Sequence, residues 1–231
     1  IKYYDMKALI IFVSVLLSLG VRAEAVDARA WFEAVRSDDV WAASSWLGQS
    51  PNNVLGVNVR DADGNTALHV AIKTPSPSIR DWLLTQPGFE IDTRNNHQET
   101  PLMFAAIQCD SDTVSALLSA ESAVNGTGWV ALHYASACRA VAAPNIIRNL
   151  LAHYAYIDAA SPNGTTPLMM AAQYGLLASV QTLLDEGADV LLKNEHGLNA
   201  LDFALIGSQP DSAVVLKAAI LARQRLKRGT W

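Results

Sequence analysis

DADGNTALHVA, Asp61 to Ala71, sets an acid, a glycine, a threonine and a histidine at fixed offsets ahead of an apolar run. The same offsets return in NNHQETPLMFA from Asn95, NGTGWVALHYA from Asn125, SPNGTTPLMMA from Ser161 and NEHGLNALDFA from Asn194. The leucines that anchor these copies, Leu68, Leu102, Leu132, Leu168 and Leu201, stand 34, 30, 36 and 33 residues apart. Self-similarity at one such period marks an array of stacked units. Asp61 and Gly64 suit a tight turn, because Asp bonds nearby backbone and Gly tolerates a left-handed conformation. Thr66 stands where a helix starts and can accept from the unpaired N–H groups there. Pro101 and Pro167, one position further on, have φ pre-set for a first helical turn and no N–H to lose.

Each copy continues into a second apolar segment: Trp82-Leu83-Leu84, Leu117-Leu118, Leu150-Leu151 and Leu183-Leu184. Helix breakers such as Pro75, Asp110, Pro144 and Gly175 separate the two segments. Two short helices per unit, a break between them and an extended stretch such as GADVLLKNEHG describe a helix-turn-helix-hairpin unit. At about 33 residues, with Thr66-Ala67-Leu68-His69-Val70-Ala71, Thr100-Pro101-Leu102 and Thr166-Pro167-Leu168 in register, the unit resembles the ankyrin repeat. The resemblance implies an all-α repeat solenoid, each repeat carrying a β-hairpin finger, with amino- and carboxyl-terminal caps. The expected division is a leader over 1–25, a capping repeat over 26–60, repeats over 61–94, 95–124, 125–160 and 161–193, and a closing cap over 194–231. In the first cap Trp31 takes the leucine slot, Ala34 the alanine slot and Trp46-Leu47 the paired-leucine slot. The last helix ends in Arg223, Arg225, Lys227 and Arg228, charges that suit the negative end of a helix dipole and a wet outer face.

Apolar residues make up 51% of the 231 and charged residues 17%, which excludes disorder. The formal net charge is -5 with no continuous basic stripe, so nucleic acid is not an expected partner. MKALIIFVSVLLSLGVRAEA, Met6 to Ala25, has a lysine, an apolar block from Ala8 to Leu19 and a small-residue end, the build of a cleavable secretory signal. The block falls short of the ~20 residues that span a membrane. A cut after Ala23 or Ala25, a periplasmic or secreted chain and no stable membrane insertion are expected, with Ile1 to Asp5 lying upstream.

Some units depart from the pattern. Leu118 is seven residues from Asn125, whereas Leu184 is ten from Asn194, so the finger of the 95–124 repeat is trimmed. CRAVAAPN widens the turn between the helices of the 125–160 repeat, and Tyr154 takes the place held by Gly187 in the next, putting a left-handed helix end there in doubt. Cys109 and Cys138 fall near the ends of first helices in adjacent repeats. Export favours a bridge, yet stacked helices lie about 8 to 10 Å apart and a disulfide wants Cα atoms within about 6.8 Å. The loop distortion could close the gap, and the pairing stays open.

No HExxH, GxSxG, GxxxxGK or metal-spaced Cys pair is present, and no catalytic residue, cofactor or metal is expected. His69 and His133 are expected to be structural, since Met103, Met169 and Asp202 fill the same slot. Asn125 and Asn163 match glycosylation acceptors, but Asn-Gly at a finger tip serves the turn. In the family, finger tips and the exposed side of the first helices form a concave face that grips protein partners. Carried over by position, that face holds Arg60, Asp63, Asn65 and Lys73, then Arg94, Asn96, His97, Glu99 and Gln108. Thr127 and Trp129 follow, then Asn163, Thr165, Gln173 and Tyr174, and last Lys193, Glu195, His196 and Leu198. Trp129 and Tyr174 have the composition of binding anchors, although Trp129 could equally pack on a finger.

The expected function is a non-enzymatic, monomeric protein-interaction module outside the cytoplasm. Its context resembles exported bacterial ankyrin proteins linked to peroxide protection. An immunity protein against a toxic effector delivered to the periplasm is the alternative, and an enzyme using Cys138 and His153 is a third.

Overall fold

The computed structural model describes residues 28–49 and 56–228, in two compact units, the first ending at Glu90 and the second beginning at Ile91. The leader expected over 1–25 lies outside the described residues.

In the first unit, α1 runs over 28–36, α2 over Val40–Gln49, a single 3-10 turn over Gly56–Asn58, α3 over Ala67–Lys73 and α4 over Pro77–Leu84. Trp31 is fully buried, as its slot requires, with its ring 4.9 Å from that of Trp46 and 6.2 Å from that of Trp82. Asp38, at φ +54 in the turn before α2, accepts from the N–H of Ile79 at 2.8 Å and of Ser78 at 3.3 Å. It thereby closes the start of α4, where N–H groups have no helical partner. Burial acts to raise the Asp38 carboxyl, but these donors and the nearby Arg80 charge outweigh it and hold it below the usual range.

The second unit holds four helix pairs: α5 Pro101–Ile107 with α6 Ser111–Ser119, α7 Ala131–Ala137 with α8 Ala143–Ala152, α9 Pro167–Tyr174 with α10 Leu177–Asp185, and α11 Ala200–Ile206 with α12 Pro210–Arg228. First helices stack α5 on α7 on α9 on α11, and second helices stack α6 on α8 on α10 on α12. The core between the layers is Leu102, Leu132 and Leu168 against Leu117, Ile146, Ile147, Leu150 and Leu183, all buried. Each such side chain contributes about 1.5 to 3 kcal/mol of burial. Gly175 and Gly207 let first helices approach closely: a Cβ on either would lie 2.4 Å from a backbone oxygen of the preceding repeat, Ser136 or Gln173. The long α12 closes the stack by burying Leu216 and exposing Val214, Leu221, Arg223 and Arg225.

The fingers are clasped turns, and among the described residues they add no named strand, only an isolated antiparallel bridge between Arg60 and Thr66. In the second unit the Asn95 N–H donates to the Glu99 carbonyl, Ser161 to Thr165 and Asn194 to Leu198, at 3.0, 3.0 and 2.9 Å. Their tips take positive φ at Gly164 and Gly197, and at Gln98 despite its side chain. The doubt about Tyr154 is removed: it adopts φ +66, the left-handed conformation Gly187 adopts at +99, and its N–H reaches the Leu151 carbonyl.

A side chain just before each finger ties it to the next repeat. In the first unit Asn58 donates to the Gly88 carbonyl and accepts from the Glu90 N–H. In the second, Asp92 accepts from the Ser122 hydroxyl and Ala123 N–H, and Asp158 from the Asp189 N–H. Burial first, and the Asp189 charge second, push the Asp158 carboxyl upward against that N–H bond. In the trimmed finger Asn125 takes over this tie, donating to the Tyr154 carbonyl at 2.8 Å and accepting from the Tyr156 N–H at 2.9 Å. Its expected place at a finger tip is therefore corrected: three missing residues slide it back into the bridging position. Asn163 does serve its turn, accepting from the Ser161 hydroxyl and the Thr165 N–H.

Candidate protein-binding face

The histidine slot is structural, and its chemistry is general. His69 Nδ1 accepts from the Thr66 N–H at 3.2 Å, and His133 Nδ1 from the Val130 N–H at 3.2 Å. The Met103 and Met169 sulfurs accept from the N–H of Thr100 and Thr166, both at 3.4 Å, and the Asp202 carboxylate accepts from Asn199 at 2.9 Å. Any acceptor that reaches back to the helix-start N–H satisfies the slot, which explains why imidazole, thioether and carboxylate interchange there.

In the second unit, with the slot turned inward, the next residue of each first helix faces outward, whereas Val70 of the first unit is buried. In the second unit these are Phe104, Tyr134, Met170 and Phe203, all only part-buried. Beyond them, near the helix ends, stand the exposed Ile107, Gln108, Tyr174 and Ile206. The stripe of outward positions was legible as one apolar or aromatic residue after every slot, a signal the repeat alignment contained but the expected site left out. Trp129 is half-buried against it, its ring 5.1 Å from His133 edge-on and 6.2 Å from Tyr134. It thus packs on its own repeat while keeping an outer edge. Burial raises the Tyr134 hydroxyl pKa, as does the Glu99 charge, with Arg94 acting in the opposite direction. Arg94 donates to the Gln98 carbonyl at 2.6 Å, and its other terminal nitrogen lies 3.2 Å from where a Cβ on Gly126 would be.

Around this apolar stripe the fingers supply a polar margin. Asn96, His97, Thr127, Lys193, Glu195 and His196 are exposed at or beside the tips, while Arg94, Glu99, Asn163 and Leu198 are half-buried. Gln173 is half-buried beside Tyr174, itself 48% exposed. In the first unit Arg60, Asp63 and Lys73 are exposed. Two expected face residues are corrected: Asn65 and Thr165 retain only 8% and 2% exposure. Asn65 turns inward to donate to the Asp61 carboxylate, and Thr165 gives its carbonyl to His133 and its N–H to Ser161 and Asn163. Apolar and aromatic anchors inside a polar rim are the composition of a protein-binding surface.

Cys109 and Cys138 are bridged, with Cα atoms 5.9 Å apart. Cys109 turns left-handed at φ +57, and Cys138 leaves α7 in extended backbone, which together bring the two ends closer than parallel helices would. The thiol that an enzyme at Cys138 would require is therefore tied up. His153 Nδ1 lies 2.9 Å from the Asn149 carbonyl at the end of its own helix. Among the described residues no group of three His, Cys, Asp or Glu is placed to hold a metal, and no helix is long and apolar enough to cross a membrane.

Repeated helix pairs with clasped fingers and an outward apolar stripe define a repeat-built binding module, and the chain belongs to the ankyrin-repeat family. Residues 31–125 and 76–161 match the family pattern of three ankyrin copies, and residues 150–204 that of many copies. The chain is similar to Neurogenic locus notch homolog protein 1 of Homo sapiens, 30% identical over 186 residues, covering 73% of this chain and 7% of that protein. It is 33% identical over 140 residues to B-cell lymphoma 3 protein of Homo sapiens, covering 56% of this chain and 30% of that one. It thus spans under a third of either relative. A chain in the solved complex of a predatory endopeptidase from Bdellovibrio bacteriovorus with an immunity protein superposes with TM-score 0.69 at 28% identity, covering 82% of this chain and 97% of that chain.

Proposed function

We propose that this protein is an immunity protein: exported, monomeric and non-enzymatic, it binds a toxic hydrolase outside the cytoplasm through the apolar stripe and fingers of its second unit. The observation that carries this is the near-complete mutual coverage with a chain from an endopeptidase–immunity complex, at 28% identity. The Cys109–Cys138 bridge supports export, since structural disulfides persist in oxidising compartments. A partner in peroxide protection would use the same face, but a complex with a hydrolase favours immunity.

The test is an activity assay of the purified Bdellovibrio endopeptidase on a peptide substrate that it cleaves, with and without the purified chain. Stoichiometric inhibition is expected. Full activity at a large excess of the chain would contradict the proposed hydrolase partner.

A further inference from the structure

The connection from α7 to α8 is unlike its counterparts. Residues 138–142 separate these helices, whereas two residues separate α9 from α10 and three separate α5 from α6 and α11 from α12. The extra length projects rather than packs: Val141 is 92% exposed, beyond any other large apolar side chain among the described residues. Its neighbours Ala140, Ala142 and Ala143 are small, and Arg139 beside them is exposed. A singly exposed valine is ordinary on a protein surface; what sets this one apart is its place at the tip of a lengthened loop whose base is fixed.

The base of the loop is fixed by covalent and hydrogen bonds. The Cys109 bridge anchors its first residue, the Ala140 N–H donates to the Cys138 sulfur at 3.3 Å, and the Ala143 N–H donates to the Ala140 carbonyl at 3.0 Å. Ala143, where α8 begins, is fully buried. A loop clamped at both ends loses little conformational freedom on docking, so its contact area converts to affinity more efficiently than that of a mobile one. The loop also leaves the end of α7, the same end of the first-helix layer at which Ile107, Tyr174 and Ile206 stand exposed.

We infer that the stapled loop 138–142 is a plug that enters a recess in the partner. Its narrow alanine shoulders and valine tip fit a slim apolar pocket, and Arg139 fits a carboxylate at the rim. In the hydrolase proposed above, on which this inference rests, such a recess is the substrate cleft, so the plug would block access while the stripe supplies the grip.

Three proteins are compared as inhibitors of the Bdellovibrio endopeptidase: the wild type, Val141→Asp, and the Cys109→Ser/Cys138→Ser double variant. Urea unfolding of each checks that the fold survives; Val141→Asp changes a projecting side chain and is expected to leave the midpoint unmoved. The expected result is at least a tenfold rise in the inhibitory concentration for Val141→Asp and a smaller rise for the double variant. Wild-type inhibition with Val141→Asp equally potent overturns the plug while leaving the hydrolase partner intact. Equal potency of the double variant overturns the role of the staple. No inhibition by the wild type overturns both the plug and the proposed partner.

Discussion

The His133 imidazole bridges two repeats: Nδ1 accepts from the Val130 N–H at its own helix start, and Nε2 donates to the Thr165 carbonyl, 3.0 Å away in the next finger. An accepting Nδ1 and a donating Nε2 define the neutral tautomer. Burial of the ring is the main cause that lowers its pKa, and the backbone of Thr165, Ala159 and Val130 acts in the opposite direction. The unfolded chain binds a proton at about pH 6.5, whereas the folded chain resists it. Stability from this group is full above that pH and falls as pH drops through and below it.

His133→Met tests this, because methionine already fills the slot at Met103 and Met169. The variant should lose about 0.5 to 1.5 kcal/mol at pH ~8, because the Thr165 carbonyl loses one of its two donors and keeps the Ser161 N–H. It should also lose less stability than the wild type between pH ~7 and ~5. Urea midpoints at several pH values measure both, and an unchanged pH slope contradicts the assignment. The shifted carboxylates Asp38 and Asp158 are the same in both proteins, so their titration cancels from the comparison.

Asn125→Ala removes the bonds to both Tyr154 and Tyr156, and should cost about 1 to 3 kcal/mol. Asn125→Asp keeps the acceptor for Tyr156 and loses the donor to Tyr154, so an intermediate loss is expected. If both variants unfold with the wild type, the tie contributes nothing.

Reduction of the Cys109–Cys138 bridge, which spans 29 residues, should lower stability by about 3 to 4 kcal/mol on chain-entropy grounds. Denaturation with and without reductant measures it. Coincident curves would show that the bridge constrains nothing.

Gly175→Ala forces a Cβ to 2.4 Å from the Ser136 oxygen, so a loss of about 1 to 3 kcal/mol from overpacking is expected. Gly187 meets nothing within 4 Å at φ +99, and Asn is tolerated at such a helix end. Gly187→Asn should therefore cost under about 1 kcal/mol. The reverse ordering in thermal unfolding would contradict the close approach of α7 and α9.

Much of this was legible in the chain because repetition multiplies each weak signal. The leucine spacing located every first helix of the second unit, and five occupants of one slot excluded a catalytic histidine. What stayed hidden depended on inward or outward direction within a finger. Asn65 and Thr165 have polar side chains typical of a surface, yet both close their own turns. Asn125 keeps its register at a tip while acting three positions earlier, because a shortened finger changes geometry without changing alignment. The bridge was undecidable from ideal helix spacing, since it depends on the left-handed turn at Cys109.

The most direct test of the binding face is hydroxyl-radical footprinting of the chain alone and mixed with the endopeptidase, read by mass spectrometry at its aromatic residues and methionine. Tyr174, Phe203 and Met170 should become protected, while Tyr154 and Tyr156, exposed beyond the end of α8, keep their labelling. Protection of Tyr154 and Tyr156 with Tyr174 and Phe203 unchanged would place the partner on the opposite side and contradict the account.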